Sequence, residues 1–151
     1  MRIVTPYFLP DSVLLRALQV AAMRGVEVDI VIPVRSNVPI MDWAMAPQLP
    51  ELLARGCRVH RRSPQPFDHS KILVVDGFWC LIGSTNWDAR SLRLNFEYNL
   101  ECYDSALARQ LEALIERRIA SSSRPSPDEL IHRPLALRLR DGVARLMSPY
   151  L

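Results

Sequence analysis

Hydrophobic positions along the chain change period several times, and each change marks an element. Arg2 to Thr5 reads as a short strand, followed by a loop over Pro6–Pro10. Leu14, Leu15, Leu18, Ala21 and Ala22 then recur at helical spacing. Asp11 or Ser12 suits the N-cap of that helix, and Gly25 suits the glycine that ends it. Val26 to Ile32 alternates apolar with polar and then turns wholly apolar, as a half-covered and then central strand does. Strand, helix and strand in this order predict a βαβ unit and a parallel pair, hence an α/β protein.

Residues 33–55 predict two helical pieces, with Pro39 and Pro47 at first-turn positions and Pro50 interrupting or restarting the helix. Gly56 closes the second piece, Cys57–Arg61 is a third short strand, and residues 62–68 form a proline-containing loop. Lys71–Val75 and Phe78–Ile82 are apolar runs on either side of Asp76-Gly77, a two-residue hairpin signal. A loop over Ser84–Asn95, a strand over Phe96–Tyr103 and a helix over 106–120, capped by Asp104 or Ser105, follow. Ser121–Pro127, rich in serine and proline, reads as a linker.

Beyond it, Pro134–Met147 predicts an amphipathic helix with Leu135, Leu139, Val143, Leu146 and Met147 apolar. Arg133, Arg138, Arg140 and Arg145 flank that set. The helix either packs back onto the domain with its arginines exposed, or lies in a membrane interface where arginines meet lipid phosphates. The chain thus divides into a module over residues 1–120, a linker over 121–127 and a basic amphipathic segment over 128–151.

Composition narrows the class. A length of 151 residues suits one folded domain, and 49% apolar with 23% charged residues supports a real core. The net charge of +3 is too small to identify a nucleic-acid partner. It is also uneven: Ser105–Leu151 holds eight arginines against five acidic residues, and the remainder is near neutral. Cys57, Cys80 and Cys102 lack metal or redox spacing, so buried free thiols and a reducing compartment are expected. No charged leader precedes an apolar core and no apolar run approaches the length of a membrane span, so neither export nor membrane crossing is expected of these residues.

Candidate chemistry concentrates in residues 69–86. Of the 19 basic residues 18 are arginine, and the one lysine is Lys71. A compact ammonium on a slim stem can reach a buried group that a guanidinium cannot. On an extended chain His69 and Lys71 share a face, while Ser84 and Asn86 follow Gly83, whose missing side chain permits close backbone approach. An imidazole, an ammonium, a hydroxyl and an amide can therefore surround one anion. No carboxylate cluster of the magnesium-dependent kind accompanies them, so a phosphate site without metal or cofactor is expected. A neutral imidazole is a competent nucleophile towards phosphorus and an imidazolium a competent acid, provided a partner fixes the tautomer. Glu97 is the candidate for that partner, with Glu101 further along the same strand.

The pattern His69-x-Lys71-x4-Asp76-x6-Gly83-Ser84-x-Asn86 resembles the HKD motif of the phospholipase D superfamily, every fixed position being present. Thr5–Asp11, Leu15–Leu18, Ala21–Val26, Arg90–Glu97 and the closing Arg145–Leu151 resemble the C-terminal half of bacterial cardiolipin synthases. The resemblance runs over essentially the whole chain. It implies a phospholipase D-like fold, a mixed and mostly parallel sheet sandwiched between helices, and phosphatidyl transfer through a phosphohistidine. It makes His69 the catalytic histidine, with Lys71 and Asn86 holding phosphate and Ser84 supporting them. Glu97 then orients His69, and Asp76 makes a structural charge pair. Tyr7 and Trp87 are expected to line the pocket, and Trp79, Trp43, Met41 and Met45 to pack. His60 and His132 lack the motif's surroundings.

Members of this family carry two such motifs in tandem behind membrane-spanning helices; this sequence has one motif and no such helix. Double displacement uses two histidines, one attacking phosphorus and one moving the proton. Three readings follow. The chain is a C-terminal half that works with a second motif from another chain, Met1 falling just before the strand that joins the halves in the family. Or it is a homodimeric single-motif phosphodiesterase or nuclease, as small one-motif members are. Or it is an inactive lipid- or partner-binding remnant. The flanking residues favour a phosphatidylglycerol-like phospholipid over nucleic acid, and a cytoplasmic location peripheral to the inner membrane, with the C-terminal segment on the membrane surface.

Overall fold

The computed structural model describes residues 1–63 and 66–151. In chain order its elements are β1 (Arg2–Val4), β2 (Phe8–Leu9), α1 (Ser12–Met23), β3 (Asp29–Pro33), α2 (Pro39–Met45), α3 (Leu49–Ala54) and β4 (Arg58–Arg62). They continue as β5 (Ile72–Val75), β6 (Trp79–Gly83), β7 (Trp87–Asp88), α4 (Ala89–Arg93), β8 (Asn99–Tyr103), α5 (Ser105–Ala120), β9 (Ser122–Ser123), α6 (Pro127–Ile131) and α7 (Leu135–Leu146). A 3₁₀ turn at Ala46–Gln48 joins α2 to α3.

Seven strands form one mixed sheet in the order β8-β6-β5-β1-β3-β4-β9, and β2 pairs with β7 in a separate ribbon. At the centre β1, β3 and β4 run parallel, as the βαβ unit requires. β5, β6, β8 and β9 join antiparallel to their neighbours. Each face has its own apolar core, because strand alternation sends neighbouring residues to opposite sides. Val4, Val31, Ile72, Val74 and Cys80 meet Ala108 and Ile115 of α5 on one face. On the other, Ile3, Ile30, Ile32 and Val59 meet Leu15, Leu18, Leu49 and Leu52. The expected α/β sandwich is formed.

Local signals explain most boundaries. The Asp11 carboxylate accepts from the Leu14 amide at 2.9 Å, and Asp104 accepts from Ala106 and Leu107, so both are true N-caps. Gly25 and Gly56 end their helices at φ +93° and +90°, where a Cβ is disfavoured. Pro39 and Pro50 sit in first turns that need no amide donor.

Other boundaries moved. Phe8–Leu9, expected in a loop, pair with Trp87–Asp88, and the expected loop over 84–95 holds both β7 and α4. Val26–Val28 and Phe96–Tyr98 stay outside the ladders that their apolar pattern suggested. The hairpin connection has three residues, not two. Asp76 and Gly77 take φ +52° and +61°, the Phe78 amide donates to the Val75 carbonyl, and Val75 pairs with Trp79. Residues 121–127 hold β9, which extends the sheet against Arg61–Arg62, and Ser126, which starts α6 with a capping box. In the loop over 62–68, Pro64 and Gln65 lie outside the described residues. Cys57 and Cys80 are buried and Cys102 partly so, and all three are free thiols. Met41 and Met45 are core residues. Trp79, expected in the core, instead donates to Glu101 at 2.6 Å on an uncovered stretch of sheet.

Candidate active site

The antiparallel pairings Val4 with Ile72, Ile72 with Ile82 and Gly83 with Asn99 bring four strand ends together. At that one end of the sheet β1 stops, β5 starts, β6 stops and β8 starts. Tyr7, His69, Lys71, Ser84, Asn86 and Glu97 all lie on segments leaving or entering it. Asp76 does not: as a turn residue it sits at the far end of β5, about 16 Å along the strand from Lys71. No ion pair of Asp76 forms among the described residues, so the charge pair implied for it is absent and its visible role is the turn.

His69 is exposed and Lys71 is buried, yet their side chains touch. Lys71 Nζ lies 2.7 Å from His69 Nδ1 and donates to the His69 carbonyl at 2.9 Å. An ammonium donating to Nδ1 leaves the proton of a neutral ring on Nε2. The edge of Tyr7 lies against the ring with centroids 5.9 Å apart, and the Tyr7 hydroxyl donates to Asn37 at 2.6 Å. The Phe67 ring lies tilted near that of His69, also with centroids 5.9 Å apart. Desolvation pushes the His69 ring below its ordinary pKa, the Lys71 charge adds to this, and Asp68 opposes it. Desolvation also lowers Lys71, against the charges of Glu97, Asp68 and Asp88. The ring is therefore biased towards its neutral, nucleophilic form.

The hydroxyl of Ser84 donates to Glu97 and accepts from the Tyr98 amide at 2.9 Å. Asn95 donates to the other Glu97 oxygen at 3.1 Å, so this carboxylate is held by Ser84 and Asn95 and makes no bond to His69. The ring's partner in this structure is Lys71. The Ser84 hydrogen bond, foremost, holds Glu97 below the usual carboxylate range. Gly83 is required here: an added Cβ would collide with the backbone of Tyr98 and with Asn99. Asn86 donates to Ser91 at 3.1 Å, while its buried Oδ1 has no partner. Trp87 stacks on Phe8 with centroids 6.0 Å apart and lines a small crevice with Lys71 and Gly83.

Two sets of residues were not singled out by sequence reasoning. Asp68, next to His69, pairs with Arg62 at 2.9 Å and Arg118 at 3.0 Å and accepts from the Ser70 amide. Arg118 also donates to the Ser70 hydroxyl at 3.1 Å, tying the histidine segment to the end of α5. Buried Asp88 caps α4 through the Ser91 amide at 2.7 Å and so holds the residue that Asn86 touches. Asp88 with Ser91 three residues on was a readable capping signal; Asp68 with Arg118, fifty residues apart, was not. Among the described residues no group of three or more His, Cys, Asp or Glu side chains converges to hold a metal ion.

Known proteins resemble the chain in both sequence and fold. The family model described as "Cardiolipin synthase, PLD-like domain" matches residues 1–119. Cardiolipin synthase 1 of Staphylococcus epidermidis is 39% identical over 147 residues, covering 97% of this chain and 30% of that protein. The chain thus spans about a third of the length of the curated relatives it matches. In fold it resembles Nuc, a phospholipase D family member from Salmonella typhimurium, with a TM-score of 0.70 and 24% identity over 82% of this chain and 80% of that one. It also resembles phosphatidylserine synthase of Haemophilus influenzae, with a TM-score of 0.76 and 18% identity over 99% of this chain and 41% of that one.

Proposed function

The chain belongs to the family of cardiolipin synthase, phospholipase D-like domains, and from that membership we propose that it supplies one half of a phosphatidyltransferase centre working through a phosphohistidine at His69. The observation that carries this reading is the exposed, neutral-biased imidazole in contact with a lone buried lysine. A phospholipid phosphodiester entering there draws the Lys71 ammonium onto its anionic oxygens, with Asn86 beside it. With Nδ1 released by Lys71, the ring loses its Nε2 proton to solvent and takes one up at Nδ1; Glu97, whose charge already acts on Lys71, accepts that N–H, and the lone pair is left on Nε2. That nitrogen attacks phosphorus, the P–N bond forms and the P–O bond to the leaving alcohol breaks. The leaving oxygen takes its proton from an acid. The acceptor hydroxyl, that of a phosphatidylglycerol-like lipid, returns a proton to the same group, attacks phosphorus and frees His69.

The second acid–base group comes from a second module. One feature of the sequence after the motif supports this. Asn95, Glu97 and Asn99 turn their side chains into hydrogen bonds around the site, whereas alternate Leu94, Phe96 and Tyr98 are exposed beside it. A row of bare apolar residues at the edge of an unfinished site is a surface for another protein face. The module spans most of one solved chain and less than half of another, so either a partner chain or a second copy suits it. In the homodimeric reading the pair acts as a phosphodiesterase. A lipid substrate places the working protein peripherally at a membrane surface.

The test is mass in solution combined with three assays: phosphatidylglycerol transfer, DNA cleavage, and hydrolysis of a soluble aryl phosphodiester. Transfer that appears only when a second motif-bearing chain is added supports the first reading. An active dimer that cleaves DNA supports the second. Activity that survives His69→Ala in either assembly refutes the assignment.

A further inference from the structure

We propose that the outward face of α7 is a docking surface for an anionic phospholipid bilayer; this deepens the lipid-substrate reading and rests on it only for the choice of partner. The observation is an inversion. A surface helix normally turns its apolar stripe to the core and its charges to water. In α7 the buried residues are Asp141 and Ala144. Asp141 is held there by Arg133 at 2.6 Å and Arg140 at 2.7 Å, and the Arg140 guanidinium lies 4.5 Å over the Trp43 ring. The leucine stripe faces out: Leu135, Leu139, Val143 and Leu146 are 68%, 63%, 65% and 77% exposed.

The helix is therefore fastened through the side that carries Asp141 and Ala144 and presents its leucine stripe, over the 12 residues of α7, a length of about 18 Å. The stripe continues at its N-terminal end into an apolar groove of about 490 Å³ walled by Pro47, Pro50, Leu130 and Ile131. Arg138 stands exposed on one flank of the stripe at the rim of the groove, Arg145 lines the groove two turns further on with its Nη1 buried, and Arg140 lies on the other flank. Apolar side chains at the level of acyl chains, with the Arg138 guanidinium at the level of phosphates, form the arrangement of a helix lying in a bilayer interface. Arg138 makes no hydrogen bond or ion pair among the described residues and is free to meet a phosphate. The charge complementarity favours an anionic bilayer over a second copy, whose matching arginines would repel.

Vesicle sedimentation of the full chain tests this, with phosphatidylcholine alone and with an equimolar mixture of phosphatidylcholine and phosphatidylglycerol. The chain is expected to sediment with the mixed vesicles and far less with the neutral ones. Leu139→Glu with Leu146→Glu should lower that binding at least tenfold, and Arg138→Ala about fivefold. Both substitutions leave circular dichroism and thermal unfolding unchanged, because the side chains are exposed. His69→Ala should bind vesicles like the parent, so a failure of the chemistry and a failure of the docking surface are told apart. Equal sedimentation with both vesicle types, or none, overturns the proposal. So does a double variant that keeps its vesicle binding but dissociates a dimer, since the stripe then joins two copies.

Discussion

Two histidines nine residues apart make opposite use of their surroundings. His60 is 1% exposed, and its Nε2 lies 2.7 Å from the carboxylate of Asp29, which also pairs with Arg58 at 2.7 Å. By geometry alone this is the better acid–histidine dyad of the molecule. His69 has an exposed ring, a flanking aromatic and a lysine on its Nδ1. Yet only the second can meet a phosphodiester, because the first lies between the sheet and α5 with nothing reactive in reach. The difference lies in access: the ring of His69 is exposed beside Lys71, and that of His60 is closed off. The buried pair of His60 Nε2 with Asp29 instead belongs to the packing of the fold.

The strongest break of this contrast is an exchange of phenotypes. His69→Ala should lower phosphodiester turnover by at least about 10⁴-fold while changing stability by no more than about 0.5 kcal/mol. His60→Ala should do the reverse, costing about 3 kcal/mol by leaving Asp29 buried beside a cavity, with turnover per folded molecule unchanged. Urea unfolding and steady-state kinetics on both variants decide it.

A smaller effect separates the two sites by pH. The Asp29 carboxyl lies well below the usual range: burial, which would raise it, is outweighed by hydrogen bonds from His60 and Arg58 and by the Arg58 charge. A carboxyl depressed in the folded state contributes stability that is complete above its unfolded pKa of about 4 and is lost as pH falls below it. The parent protein should therefore lose on the order of 2 kcal/mol on acidification that Asp29→Asn does not lose. A flat difference between their unfolding curves from pH 7 to pH 3 would contradict this.

The smallest effect concerns His69 itself. In the proposed reaction the neutral ring attacks, so activity should rise with pH through a pKa that desolvation and the Lys71 charge hold down. In Lys71→Met that charge is gone and the ring pKa rises. The acid limb of kcat/KM should accordingly move to higher pH, alongside a general loss of rate. An acid limb that stays in place would show that Lys71 does not act on the ring.

Much of the site was legible because its members are close in sequence and of unusual type. A single lysine two residues after a histidine, and a Gly-Ser-x-Asn run after a hairpin, need only strand alternation to be brought together. The helix caps Asp11 and Asp104 and the glycines at 25 and 56 were legible for the same reason. What escaped depends on partners far along the chain. The ribbon of Phe8–Leu9 with Trp87–Asp88, the strand at Ser122–Ser123 and the clamp of Arg118 on Asp68 have no local signature. Glu97 was placed on a strand by its apolar neighbours, and it stands instead in the segment before β8, bonded to Ser84 and Asn95.

Residue types, periods and short spacings by themselves determined the α/β class, the parallel core and the motif around His69, because each is settled within a few turns or strands of backbone. The groups that touch His69, the burial of His60 and the way α7 faces were settled only by tertiary structure. Those outcomes depend on which surfaces are already taken: α7 could bury only one side, and the side with Asp141, its two arginines and Ala144 is the one that packs.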